Sequence, residues 1–287
     1  MSSQITTAFT QQYSNNVKLL AQEKGSQLRN TVNVESVTGK NSFFDQVGVA
    51  TAQKRTTRHA DTPQIDTPHS RRRVSLVDYE YADLIDNQDK VRTLIDPTSS
   101  YAIASAYALG RAVDDEIISA VTGTAYTGET GSTSTPFTSA NAITEAGTDG
   151  LTLAKLRNAK QILDSNSVDP SIPRTIVVAP VQISDLLAVT QATSSDYASV
   201  KALVQGEIDT FMGFKFVLSN RLSKTGNLRK NLVYAQDGML LALGQDIVTR
   251  IDERSDKGYA TQVYCSQSIG ATRMEEEKCV SIESYEA

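Results

Sequence analysis

The sequence has no tryptophan, two histidines and two cysteines among 287 residues, and each scarcity removes a class of function. Cys265 and Cys279, with no histidine near either, cannot supply a zinc site. They read as small buried hydrophobes, the usual place of free cysteine. His59 and His69 stand in one polar stretch. Metal binding there would need Asp61 or Asp66 in a formed site, and a loop lacks the outer partners that normally hold a metal-ligating histidine. No serine sits in a Gly-x-Ser-x-Gly elbow, and no glycine-rich loop runs into Lys followed by Ser or Thr. Serine hydrolysis and phosphate cradling are therefore unsupported. Asp114, Asp115 and Glu116 are adjacent on one helix and point in different directions, so they make no acid and base pair. No run approaches the roughly 18 apolar residues of a membrane span. The opening MSSQITTAFTQQYSNN lacks the basic-then-apolar pattern of a signal peptide. No catalytic residue, cofactor, metal or membrane partner is expected.

What is present is enough apolar content, 39%, for a sizeable core, and an uneven charge. Lys54, Arg55, Arg58, Arg71, Arg72 and Arg73 outnumber Asp61 and Asp66 in the segment 54–73, which carries +4; the whole chain is −5, so the remainder sums to −9. One basic loop faces an acidic body. No aromatics interleave with these arginines, so the pattern of a single-strand stacking platform is missing. Contact between loop and body of neighbouring copies fits the asymmetry better. These six cations are the expected inter-subunit contacts, and reversing Arg71, Arg72 and Arg73 is expected to leave the monomer folded.

Residues 1–40 are polar, with a weakly amphipathic stretch at Val17, Leu19 and Leu20, and read as an arm. Segment 41–73 holds about 20 residues with almost no apolar content, a length that is uncommon in a compact protein unless the loop is functional or disordered. Its flanks, Ser42 to Ala50 and then Val74, Leu76, Tyr79 and Tyr81, can pair as an extended hairpin. In DPTSSYAIASAYALGRAVDDEIISAVTG, Asp96 caps, Pro97 suits the first turn and Gly123 the end of a helix of about 25 residues. Ile103, Ala106, Tyr107, Leu109, Gly110, Val113, Ile117, Ile118 and Val121 form its apolar arc, with Ser105 outside it. Asp114 interrupts the arc one turn from Arg111, where a local ion pair or an edge contact is the plain expectation. Short strands are expected at Pro136 to Thr138 and Ala142 to Thr144.

Thr152 caps a second helix with Leu153, Leu156, Ala159, Ile162 and Leu163 on one face. The run TIVVA, Thr175 to Ala179, is a buried strand, and Pro180 opens a helix carrying Ile183, Leu186 and Leu187. Strands follow at 214–219, 231–235, 239–244, 246–253 and 258–267, the last with Tyr259, Thr261, Val263 and Cys265 on one face. Glu275, Glu276 and Glu277 read as a solvated turn before a terminal strand in which Val280 and Ile282 alternate.

This order of elements resembles the major capsid proteins of tailed bacteriophages, with their Hong Kong 97 fold. The resemblance rests on the polar arm, the basic loop, DPTSSYAIASAYALGRAVDDEI with Tyr101, Gly110, Arg111 and Asp114, the unit RTIVVAPVQISDLL with its APVQ helix start, and strands ending in GATRMEEEKCVSIES. It implies an α+β fold. Residues 1–40 are then the arm, 41–81 the extended loop, 82–151 a peripheral domain with its spine helix at about 97–122, 152–240 the axial domain, and 241–287 strands returning to the peripheral domain. It also implies a non-enzymatic subunit that self-assembles into pentamers and hexamers, forming an icosahedral virion shell around double-stranded DNA in the host cytoplasm. A separate scaffolding protein, a portal and a decoration protein are implied partners; only about 40 residues precede the loop, which favours scaffolding by another chain. An encapsulin-like nanocompartment shell is the alternative on the same fold, and an α/β enzyme built on residues 172–190 is a more distant one.

Overall fold

A computed structural model describes residues 22–59, 61–62, 64–86, 98–145, 147–189 and 210–286. Val17, Leu19 and Leu20 of the expected arm lie outside them, as do the expected cap residues Asp96 and Pro97. The first strands in chain order are β1 (Asn33–Ser36), β2 (Asn41–Val47), β3 (His69–Ser75) and β4 (Val77–Ile85). The long helix α1 (Thr98–Thr122) follows, then β5 (Ala125–Thr127), β6 (Thr133–Thr135) and β7 (Ala142–Ile143). Next come α2 (Leu153–Ser165), β8 (Arg174–Val178), α3 (Pro180–Val189), β9 (Thr210–Phe211), β10 (Phe214–Leu218) and β11 (Lys224–Thr225). The last strands are β12 (Leu228–Ala235), β13 (Met239–Arg254), β14 (Ala260–Arg273) and β15 (Cys279–Tyr285).

The strands form three sheets. One has the order β7-β15-β12-β8-β10-β9, with β11 paired to β12; the second is β1-β13-β14-β4, and the third is β2-β3-β5-β6. Successive side chains of a strand point to opposite faces, and in the first sheet both faces are covered. Ile176, Val178, Val233, Ala235, Val280 and Ile282 pack on one side against Leu156, Ala159 and Leu163 of α2 and Leu186 of α3. Val177, Leu232, Tyr234 and Cys279 pack on the other against Val113, Ile117, Ile118 and Val121 of α1. That two-sided burial is why TIVVA reads as an unbroken apolar run. Each such large side chain contributes roughly 1.5–3 kcal/mol by leaving water.

The caps agree with the sequence. Lys155 N donates to Thr152 Oγ1 at 3.3 Å at the start of α2. At α3, Ala179 N donates to Gln182 Oε1 at 3.1 Å, so the glutamine of APVQ reaches back over the first turn.

Several expectations change. The strands expected at 239–244 and 246–253 are one strand, β13, which absorbs the polar stretch after Leu243 through register irregularities against β14. Tyr259 does not join Thr261, Val263 and Cys265: it lies before β14 in a left-handed conformation, φ 60°, and is 62% exposed. The buried face of α1 rotates in its first half, where Ile103 is 45% exposed and Ser105 is buried, bonding Ala102 O and Cys265 Sγ at 2.8 Å each. The strand expected at Pro136 to Thr138 forms instead at Thr133–Thr135. The hairpin's return strand ends at Ser75, and Tyr79 and Tyr81 pair with β14 rather than with β2.

The chain's last described turn is clamped by charge. Glu286 accepts from Arg229 Nη2 at 2.9 Å and Gln182 Nε2 at 3.0 Å, and the Arg229 guanidinium holds its carboxyl down to about 2. A carboxylate depressed on folding adds stability above its unfolded pKa and loses it as pH falls toward the folded value. The melting temperature is therefore expected to drop between about pH 4.5 and 2, more steeply than in Glu286→Gln; equal slopes in a pH series of thermal melts would remove the clamp.

Candidate assembly surfaces

The third sheet is built around the expected hairpin. β2 and β3 pair antiparallel from Asn41↔Ser75 to Val47↔His69. Phe44 packs on the small cluster of Val37, Val74, Leu240 and Ala242, which seats the stem on the rest of the fold. Gly48 N donates to Pro68 O at 2.8 Å and closes the neck. Beyond it, the described residues from Val49 to Asp66 are all exposed. A 20-residue excursion that doubles back can reach about 30 Å from its neck.

The six cations separate into two groups. Lys54, Arg55 and Arg58 are on the exposed tip, where Arg55 bonds two of the tip's own carbonyls, Thr57 O at 2.9 Å and Arg58 O. Arg71, Arg72 and Arg73 are on the stem. Arg71, half-buried, pairs with the exposed Asp45 at 2.5 Å and lies over Phe43 at 5.6 Å. Arg73 lies over Tyr126 at 4.7 Å. Arg72 is 7% exposed; its Nε donates to Met274 O at 2.8 Å and its Nη2 to Glu276 Oε1 at 3.0 Å. Arg72 is thus part of the hairpin's seat, so a reversal of Arg71 to Arg73 changes a buried contact as well as the two outward-facing cations beside it. The aromatics missing from the linear pattern arrive from β2 and β5, which sequence neighbourhood could not reveal.

Glu276 also holds Arg273 Nε, at 2.5 Å. Arg273 is 0% exposed, and its Nη1 donates to Val121 O at 2.7 Å, in the last turn of α1, and to Gly123 O at 2.9 Å, just past its end. A cation there meets the negative end of the helix dipole. Hairpin, β14–β15 turn and helix end thus share one buried charge chain, Arg72–Glu276–Arg273. Reading Glu275 to Glu277 as a solvated turn missed this, because nothing local distinguishes the middle acid.

The middle of α1 holds the stretch from Gln22 to Leu28. Asp114 is fully buried and accepts from Ser26 Oγ, from Gln27 N at 2.9 Å and from Leu28 N at 3.1 Å. Arg111 does not pair with it; its Nη1 donates to Gln22 Oε1 at 3.0 Å and Glu23 O at 3.2 Å. Burial pushes the Asp114 carboxyl up against the pull of those hydrogen bonds. A Cβ on Gly110 would come within 2.6 Å of Gly25 Cα, so the glycine is what lets the backbones touch. Gly110→Ala is expected to cost about 1–3 kcal/mol and to speed tryptic cleavage after Lys24. Unchanged cleavage in a limited-proteolysis time course would show that no latch was broken.

Among the described residues no group of three or more His, Cys, Asp and Glu could hold a metal, and His59 and His69 are both exposed. No described helix is long and apolar enough to cross a membrane.

Among curated proteins none matches the chain. Solved structures do. The capsid of Ralstonia phage GP4 matches with TM-score 0.76 at 12% identity over 98% of this chain and 96% of that one. The capsid of cyanophage P-SCSP1u matches with TM-score 0.73 at 17% identity, over 99% and 94%. The capsid of a native GTA particle matches with TM-score 0.71 at 11% identity, over 99% and 98%. At such identities the likeness establishes the fold, which is α+β and of the Hong Kong 97 type. The phage capsid protein family model matches residues 5–286, nearly the whole length, and the chain belongs to that family.

Proposed function

We propose that this chain is a major capsid subunit, a structural protein that closes copies of itself into an icosahedral shell around the double-stranded DNA of a tailed phage. Membership of the capsid family over residues 5–286 carries the reading. The exposed basic tip is what such a subunit needs, because a segment with so little to bury on its own body gains most by lying on a neighbour's. Identical subunits assemble by repeating one set of contacts, and hexamers and pentamers are the rings from which a closed curved lattice is made. In this reading residues 1–40 serve as the arm, 41–81 as the extended loop, 82–151 as the peripheral domain, 152–240 as the axial domain and 241–287 as the return to the periphery. Lys54, Arg55 and Arg58 are its main inter-subunit cations, with Arg71 beside them. A scaffolding protein, a portal and a decoration protein are its protein partners, the packaged DNA is bound without sequence preference, and its place is the virion.

Negative-stain electron microscopy with light scattering on the purified chain, alone and co-expressed with a scaffolding protein, tests this. Closed shells or ring-shaped capsomers are expected. A monodisperse monomer or dimer in every condition would overturn the proposal, and shells that carry protein cargo instead of DNA would favour a nanocompartment.

A further inference from the structure

We propose that the segment Val17 to Leu20 packs, within the same chain, on the start of α1 over Tyr107 and Ile103. The contact lies inside one subunit and does not depend on the self-assembly reading. It assigns a place to the only apolar cluster that the polar arm carries next to the described chain, which begins at Gln22.

The path of the chain from Leu28 back to Gln22 points there. Gln27 N and Leu28 N donate to Asp114, Gly25 lies against Gly110, and Gln22 Oε1 accepts from Arg111 Nη1. Side chains of a helix lean toward its N-terminus, so the Arg111 guanidinium covers the turn before its own Cα. Followed backwards, the chain therefore moves along α1 from position 114 toward the helix start. Glu23 Oε1 also accepts from Asn220 N at 3.4 Å, which holds this stretch from its other side.

At 3.6 residues per turn, Asp114, Gly110, Tyr107 and Ile103 fall on one strip of α1, spread over about 60°. Residues 25–28 cover the upper part of that strip, where Asp114 and Gly110 are buried. The lower part is open: Tyr107 is half-buried and Ile103 is 45% exposed. A lone exposed aliphatic residue is ordinary on a surface. Ile103 differs because it prolongs a groove that this chain already fills.

Length and pattern identify the occupant. Tyr107 and Ile103 are one turn apart, about 6 Å along the axis. Leu20 and Val17 stand two and five positions before Gln22, a reach of about 7 and 17 Å if extended and about 3 and 7.5 Å if helical. The two residues therefore bracket the open strip in either conformation. Phe9, Tyr13, Val17 and Leu20 recur at intervals of four, four and three, the spacing of one apolar helix side, with Ser14, Asn15, Asn16 and Lys18 between them. A segment tethered so close to its groove has an effective concentration on the order of millimolar, well above that of a second copy in dilute solution.

The test is disulfide trapping in the full chain in dilute solution. Leu20→Cys and Val17→Cys are each combined with Ile103→Cys and, as a control on the far side of the same helix turn, with Tyr101→Cys. The native Cys265 and Cys279 are buried and supply the background. After oxidation with diamide, peptide mass mapping is expected to find intrachain links to position 103 in at least about tenfold higher yield than to position 101, because a disulfide needs its two Cα atoms within about 7 Å. A second readout leaves the folded body untouched. The maleimide labelling rate of Ile103→Cys alone is compared with the same chain carrying Val17→Glu and Leu20→Glu, and a rise of about fivefold or more is expected as the charged segment leaves the groove. Links between two chains, seen as a dimer on a non-reducing gel, would give the groove to another copy's arm and overturn the proposal. It falls too if position 103 links no better than position 101, or if the two glutamates leave the labelling rate unchanged. Neither readout requires shells to form, so the capsid reading stands or falls separately.

Discussion

Replacing Arg273 with alanine is expected to destabilise the subunit by about 3–5 kcal/mol, the range for breaking a buried ion pair by removing one partner. Three losses combine. Glu276 loses the nearer of its two guanidinium groups, at 2.5 Å, in a side chain only 15% exposed. Val121 O and Gly123 O lose their donors at the buried end of α1. Phe137 loses the guanidinium that lies 5.3 Å from its ring centre, and a cavity opens where an arginine with no exposed surface had been. For a chain of this size the melting temperature should fall on the order of 10 °C. Arg273→Lys keeps the charge but cannot span the carboxylate and two carbonyls with one ammonium, so it should fall between wild type and alanine. Thermal denaturation followed by circular dichroism decides the matter: an alanine variant within about 1 kcal/mol of wild type would mean that the buried chain of charges contributes little to holding the helix end.

Arg273 also marks the limit of what a linear reading could find. Helix α1 was legible because Val113, Ile117, Ile118 and Val121 recur at helical spacing and Gly123 follows, all local signals. The strand β8 was legible because burial on both faces leaves an unbroken apolar run. The hairpin was legible from the length and polarity of the excursion between its flanks, although the point at which the return strand leaves for another sheet was not. What escaped depends on partners far apart in sequence. Asp114 looked like a charge at the edge of an apolar arc, and it is instead the acceptor for backbone 86 and 87 positions away. Arg72 looked like one of three equivalent surface cations, yet its two hydrogen-bonded groups lie beyond residue 273. The distinction between Arg72 and its neighbours is set by which face of β3 each residue occupies and by what another strand brings to that face. Strand alternation predicts that Arg71 and Arg73 share a side, but the identity of the buried side is a property of the whole fold.

That distinction yields the second large effect, a separation of folding from assembly within one cluster of basic residues. Arg72→Glu places a carboxylate beside Glu276 where less than a tenth of the side chain meets solvent, so the seat of the hairpin loses an ion pair and gains a repulsion. It should lower the melting temperature strongly, and any loss of shells in that variant follows from the damaged subunit. Lys54→Glu with Arg55→Glu and Arg58→Glu alters only exposed tip residues, where substitutions usually stay within about 0.5 kcal/mol. Its melting temperature should match wild type while shells or capsomers disappear, because the change inverts the charge of the proposed inter-subunit contact. The two variants therefore move opposite readouts, and melting temperature with the scattering-derived particle size on the same samples separates them. A tip variant that assembles normally would remove these cations from the subunit contact, and a stable, assembling Arg72→Glu chain would show that the hairpin is held by its strand pairing and Phe44 alone. The proposed assembly gives a physical reason to keep both kinds of arginine on one hairpin: buried Arg72 fixes the direction in which the hairpin leaves the subunit, and a small error in that direction grows along the excursion to the exposed Arg55 and Arg58.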